Sequence, residues 1–208
     1  MQKNDNKFQM PDDLKECVNF HGHLCPGLVY GYIVAKESIK LLNIKRSDDE
    51  EIVAVCENDS CAIDGLQVML GTTAGKGNLI INDYGKNAYT VINRSDKKAY
   101  RFSRKTTYIY EGIYKNEFAR LEKAFSAGTA TEQEKSRQRL LKVMDLLSKP
   151  FDEVFSVTTA GFSMPPYAPM APSVACAVCG EMTMQTKMVP KKGEPDMLIC
   201  LPCSETAL

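Results

Sequence analysis

No stretch of this sequence approaches the run of about 18 apolar residues that a membrane-spanning helix needs. The opening residues, MQKNDNKFQM, lack the apolar segment of a secretory signal. Both absences point to a cytoplasmic protein with no membrane partner. The formal net charge is +0, so attraction to nucleic acid or an anionic surface cannot be argued from the total. Histidine is scarce, with 2 in 208 residues, and no cysteines follow the CxxCxxCxxxC spacing of an iron–sulfur protein.

What is present is globular in character. Hydrophobic residues make up 44% and charged residues 25%, which places the chain away from disordered and fibrous classes. At 208 residues it has room for one hydrophobic core and a small appendage. Charge is unevenly spread: residues 1–64 carry seven Lys/Arg against twelve Asp/Glu, and residues 94–150 carry fourteen against seven. The basic stretch reads as a solvated helical surface with scattered counter-charges rather than a nucleic-acid face.

Pro26 suits the first position of a helix, where its missing N–H is not needed. Leu28, Tyr32, Ala35, Ile39 and Leu42 then recur at helical spacing up to Asn43, with Gly27 and Gly31 permitting close approach. A turn-rich segment, FHGHLCPG, precedes this helix. IVAVC at Ile52–Cys56 predicts a buried strand, and CAIDGLQVML a helix stopped by Gly71. LIIND, AYTVINR and KAYRFS predict three further strands. Helices follow over Ile113–Phe125 and Glu132–Leu147, the second opened by a Thr131/Glu134 capping box, and then a strand over Phe151–Thr158. The sum is an α+β fold, helices packed on a mainly antiparallel sheet, followed by a small zinc-ribbon or treble-clef-like domain. The expected boundaries are a core over residues 1–160, a linker over 161–173 with four prolines in eight residues, and a zinc-binding domain over 174–208.

The final segment carries CAVC, twenty intervening residues and CLPC. Each CxxC turn brings two thiolates to one side of a tetrahedron, so Cys176, Cys179, Cys200 and Cys203 are read as ligands of one structural zinc ion. Residues 151–208 hold only Lys187, Lys191 and Lys192 against six acidic residues, which argues against nucleic acid as the partner of this domain.

Both histidines, His21 and His23, stand within five residues of Cys25. Imidazole and thiol together suit a borderline-soft metal or a catalytic site. Cys25 and Cys61 each open a predicted helix, where the positive end of the dipole is expected to lower the thiol pKa. A redox pair, Cys25–Cys61 or Cys56–Cys61, is the competing reading, and Cys56 alone reads as a buried small hydrophobe. Asp64, three residues beyond Cys61, is placed to act as an acid, as a ligand, or as the group that orients one, with a salt-bridge partner within the helix turn as the alternative. GTTAGKGN at Gly71–Asn78 departs from the phosphate-loop pattern, because Lys76 is followed by Gly77 and a strand. Its backbone could still cradle an anion.

HGHLCPGL at His21–Leu28, CENDSCAIDGLQ at Cys56–Gln67 and TTAGKGNLIINDYGKNAY at Thr72–Tyr89 together resemble the formylmethanofuran dehydrogenase E-subunit family. The resemblance implies an α+β core, homodimeric, with a metal cleft built from the HxHxC segment and the cysteine-bearing helix. On that basis His21 or His23, with Cys25 and Cys61, are candidate ligands of a second divalent metal, zinc among the choices. Cys25, Cys61, His23 and Asp64 are the catalytic candidates. Gly65, where relatives carry alanine, is expected to loosen its helix without touching the chemistry. The family name refers to a molybdenum- or tungsten-dependent oxidation whose pterin chemistry belongs to other subunits. The expected function is therefore an accessory metalloprotein with redox-enzyme subunits as partners and an unassigned small-molecule ligand. A metal-handling or metal-sensing protein is the alternative, with a nucleic-acid-binding zinc-ribbon protein behind it.

Overall fold

The computed structural model of the chain describes residues 8–159 and 161–205. The chain divides between Pro165 and Pro166 into two compact units. No helix among the described residues is long and apolar enough to cross a membrane.

The first unit is built on two helices and a sheet. Helix α2 (Pro26–Leu42) starts as its sequence dictates: Pro26 occupies the first turn and the Cys25 thiol accepts a hydrogen bond from the Leu28 N–H at 3.3 Å. Leu28, Tyr32, Ala35 and Leu42 are buried along one stripe. Strand β1 (Ile52–Cys56) leads into helix α3 (Ala62–Leu70), closed by Gly71 in the left-handed conformation. Strands β2 (Leu79–Ile81), β3 (Ala88–Asn93) and β4 (Lys98–Arg104) follow.

Helices α4 (Lys115–Ser126) and α5 (Glu132–Ser148) form the basic region. The Glu134 N–H donates to the Thr131 hydroxyl at 3.2 Å, and the Thr131 N–H to the Glu134 carboxylate at 3.1 Å. Arg120 pairs with Glu134 and Arg137 with Glu117, so part of the positive excess is neutralised between the two helices. A short helical turn α6 (Phe151–Val154) then leads to strand β5 (Phe155–Thr159).

The sheet order is β2-β1-β3-β4-β5, antiparallel except for the β1–β2 pair that brackets α3. Register sorts its two faces. Cys56 pairs with Tyr89, and Tyr89 with Phe102, so these side chains share the face that buries Leu28, Leu66 and Phe155. Val53, Ile92 and Ala99 lie on the opposite face, where Phe162 and Met164 pack against them and Arg94 Nη1 donates to the Pro165 carbonyl at 2.6 Å. Phe162, Met164 and Pro165 lie within the Pro-rich segment.

Two expectations are corrected. The segment before FHGHLCPG carries a further helix, α1 (Asp12–His21), with Pro11 at its N-cap and Gly22 at φ 91 as its left-handed stop. His21 is therefore the last residue of a helix rather than part of a turn. The expected strand over Phe151–Thr158 begins as helix because Pro150 initiates a turn, and only its second half enters the sheet.

The second unit consists of two hairpins and a helix. Strand β6 (Ser173–Ala175) pairs with β7 (Met182–Met184), and β8 (Met188–Lys191) with β9 (Glu194–Cys200). Helix α7 (Leu201–Glu205) closes the described chain.

Candidate metal centre

Helices α2 and α3 cross closely at two glycines. A Cβ on Gly31 would stand 1.8 Å from the Ala62 carbonyl oxygen, and one on Gly65 would stand 2.6 Å from the Tyr32 nitrogen. Neither helix could approach so closely with side chains there. The crossing brings the N-termini of both helices together, and with them Cys25 and Cys61. A Cβ on Gly27 would lie 3.6 Å from Cys61 Sγ and 3.7 Å from Cys25 Sγ. Gly65 is thus a packing requirement of the site, which corrects the reading of it as a mild helix-loosening residue.

His21 reaches the same place from the end of α1. Its Nδ1 lies 2.6 Å from Asp64 Oδ2, and its Nε2 lies 3.7 Å from Cys25 Sγ. Asp64 is itself held by Gln67, whose Nε2 donates to Oδ1 at 3.0 Å. One carboxylate on α3 therefore fixes the imidazole so that its second nitrogen faces the Cys25 thiol. His23 is exposed, and its ring centroid lies 4.6 Å from that of His21. His21, His23 and Cys25 each offer a ligand atom within 4.8 Å of the others. Two imidazoles and the Cys25 thiol form a donor set that fits a borderline-soft divalent ion, and Cys61 stands against Cys25 outside that cluster.

Cys61 behaves differently from its sequence expectation. Its pKa is raised, first by burial and then by the charge and hydrogen bond of Cys25, with Asp64 adding to the effect. Although it stands at a helix start, it makes no side-chain cap hydrogen bond, so burial and a like-charged neighbour outweigh the dipole. Cys56 is fully buried at the end of β1, and burial pushes its thiol up to about 12. It is a core residue, as the reading of it as a buried small hydrophobe expects.

Several donors of the glycine-rich loop after α3 are engaged within the protein. Lys76 Nζ donates to the carbonyls of Ser47 at 3.1 Å and Asp48 at 3.3 Å, and the Thr73 N–H to Asn78 Oδ1 at 2.8 Å. Its lysine is therefore engaged by the adjoining loop, which leaves little of an anion cradle.

In the second unit Cys176, Cys179, Cys200 and Cys203 present four sulfurs within 4.8 Å of one another. The first pair comes from the knuckle after β6, while Cys200 ends β9 and Cys203 lies in α7. A knuckle facing the start of a helix is the treble-clef-like alternative of the two expected forms. Backbone N–H groups of Cys179 and Cys200 lower the Cys176 pKa, which favours its thiolate form. The adjoining sulfurs push Cys203 up to about 12, the mutual repulsion that a cation at their centre would relieve.

The sequence names every candidate ligand at these two sites and marks Gly27 and Gly31 as a face open to close approach, but it does not show that Gly65 is the partner glycine or that Gln67 holds Asp64. The spacing Gly27–Gly31 was the available signal for the crossing.

Comparison with known proteins agrees with this architecture. The family model described as "FmdE, Molybdenum formylmethanofuran dehydrogenase operon" matches residues 20–156. A protein of Archaeoglobus fulgidus named as a probable S-adenosyl-L-methionine-binding protein is 29% identical over 194 residues, covering 89% of this chain and 50% of its own length. The chain thus spans about half of that relative. The crystal structure of a tungsten formylmethanofuran dehydrogenase FmdE-like protein from Syntrophus aciditrophicus shares the fold, with a TM-score of 0.55 at 17% identity over 93% of this chain and 91% of that one.

Proposed function

The chain belongs to the FmdE family, and from that membership we propose that it is an accessory metalloprotein with two ions of different purpose. His21, Cys25 and Cys61 would hold a divalent ion in the core, and the four C-terminal cysteines would hold a structural zinc.

The observation that carries the core site is the connected run from Gln67 through Asp64 and His21 to Cys25. A histidine ligand is commonly held at its other ring nitrogen by a carboxylate, which fixes the tautomer and raises its basicity. Nitrogen with two thiolates favours zinc over the hard cations magnesium and calcium. Three protein ligands with a further position open is the arrangement of catalytic rather than structural zinc sites. A divalent ion held there would supply Lewis acidity to a group entering the cleft. The chain's own residues define that entry: Asp64 balances charge behind His21, and exposed His23 stands beside the open side, where it meets the incoming group. The oxidation in the family's name is left to other subunits, which makes this chain's role accessory.

For the C-terminal site, Cys179 Sγ and Cys200 Sγ lie 3.8 Å apart. Zinc–sulfur bonds of about 2.3 Å give tetrahedral edges of about 3.8 Å. The unit's buried cluster is small, Ile199 with Cys176 and Cys200, so the ion would serve as most of its core.

Cobalt substitution of a Cys176→Ser/Cys179→Ser variant tests the core assignment. The remaining thiolate-to-cobalt absorption should match two sulfur ligands and weaken when His21 is changed to alanine. Absence of any thiolate-to-cobalt band in the double variant would refute the core site.

A further inference from the structure

A cavity of about 150 Å³ lies between the end of β4, the loop that follows it and the last turns of α5. None of its lining residues is among the metal ligands proposed above. Its outer wall is pinned. Buried Asp145 on α5 accepts from the Tyr108 hydroxyl at 2.7 Å and from the Glu111 backbone N–H at 3.0 Å, and Lys149 donates to the Glu111 carboxylate. These bonds fix residues 108–111 against the helix.

The other polar groups of the lining are donors short of acceptors. Arg104 ends β4, half-buried, with its guanidinium carbon 5.2 Å from the Tyr30 ring centroid, and the Tyr30 phenol is the group it acts on. No carboxylate among the described residues pairs with it, and the hydroxyls and N–H groups of Thr106 and Thr107 have no protein acceptor there. The lining acceptors are already engaged or peripheral: Glu111 is bonded to Lys149, and Glu153 is exposed at the rim with its charge acting on Lys149. Ile109, Leu146 and Val154 complete the lining with apolar surface. A pinned, donor-rich pocket whose guanidinium lacks a carboxylate is complementary to an oxyanion, since the planar fork matches a carboxylate bidentately. The volume is below the roughly 300–1,000 Å³ of pockets for drug-sized ligands, which excludes anything as large as a nucleoside. Two carboxylates near the rim disfavour a multiply charged anion, and the apolar lining favours a hydrocarbon body.

We infer that this cavity binds a short-chain monocarboxylic acid, with its oxygens on Arg104 and the Thr106–Thr107 segment and its hydrocarbon body against Ile109, Leu146 and Val154. The site is a second ligand site of the core unit and is indifferent to the metal content of the cleft.

Saturation-transfer NMR and calorimetry on the full-length protein, with butyrate and inorganic phosphate as probes, test this. Butyrate should bind saturably with Kd in the millimolar range or tighter, and Arg104→Gln should weaken it about tenfold or more through loss of a charge-assisted hydrogen-bond pair. Arg104→Lys should recover part of the loss, and Thr106→Val/Thr107→Val, at exposed positions that do not endanger folding, should weaken binding several-fold. No saturable butyrate binding up to about 10 mM would overturn the proposal, as would an unchanged Kd in folded Arg104→Gln or phosphate binding as tightly as butyrate.

Discussion

His21 Nδ1 and Asp64 Oδ2 stand 2.6 Å apart although 43 residues separate them in sequence. The pair joins the end of α1 to the first turn of α3 and aims the second imidazole nitrogen at Cys25. If the core holds an ion, this carboxylate governs how firmly it is held.

Asp64→Asn keeps the side-chain shape but removes the charge that fixes the imidazole. Affinity of the core for zinc should fall about 10–100-fold, the usual cost of losing such a partner, while the C-terminal site is unchanged. Competition with a chromophoric chelator reads both sites, and a change below about twofold at the core would show that Asp64 has only a packing role.

Gly31→Ala and Gly65→Ala place a methyl where the opposing helix backbone already stands, 1.8 Å from the Ala62 oxygen and 2.6 Å from the Tyr32 nitrogen. Each should destabilise the first unit by about 1–3 kcal/mol or more and lower core metal occupancy with it. Gly75, with nothing within 4 Å of a built Cβ, is the control, and Gly75→Ala should stay within about 0.5 kcal/mol of the native protein. Denaturant midpoints measure the series, and equal midpoints for all three would contradict the close crossing.

Burial raises the Cys17 thiol to about 11 and the Cys56 thiol to about 12, from 9.0. A raised thiol pKa means that the folded state prefers the protonated form. The associated stability is complete below the unfolded value and is lost as pH rises from about 9 through the folded values. Native protein at pH about 8 should therefore leave both residues unmodified by iodoacetamide, as shown by peptide mass mapping. Rapid alkylation of Cys56 in the native state would mean that β1 is not buried.

Cys179→Ser removes one corner of a site whose surrounding buried cluster is Cys176, Ile199 and Cys200. The second unit should lose its structure while the first keeps its own. Limited proteolysis should then release a stable fragment ending near Pro165, and native-like resistance throughout would show that the second unit folds without its ion.

Different parts of this molecule were legible to different degrees. The C-terminal cysteines and the capping of α2 and α5 were readable because each depends on residues within one turn or one fixed spacing. The sheet was readable from its short β-rich runs, and register follows from which face each run buries. α1 was missed because DDLKECVNFH buries only Leu14 and Cys17, too few for an apolar stripe, although Pro11, the acidic first turn and Gly22 were its punctuation. That omission placed His21 in a turn. The His21–Asp64 contact and the pairing of Gly31 with Gly65 are tertiary: the Gly27–Gly31 spacing marks a face open to close approach but not the helix that fills it. The raised Cys61 pKa has the same origin, since the helix start predicts a lowered value and only burial beside Cys25 reverses it.

Elemental analysis of the reduced full-length protein, purified without added metal or chelator, beside Cys25→Ser, Cys61→Ser and Cys179→Ser, counts the ions at each site. The account predicts two ions per chain in the native protein and one in each variant, with Cys25→Ser and Cys61→Ser keeping the C-terminal ion. Two ions retained in both Cys25→Ser and Cys61→Ser, or a single ion in the native protein that Cys179→Ser abolishes, would contradict a metal site in the core.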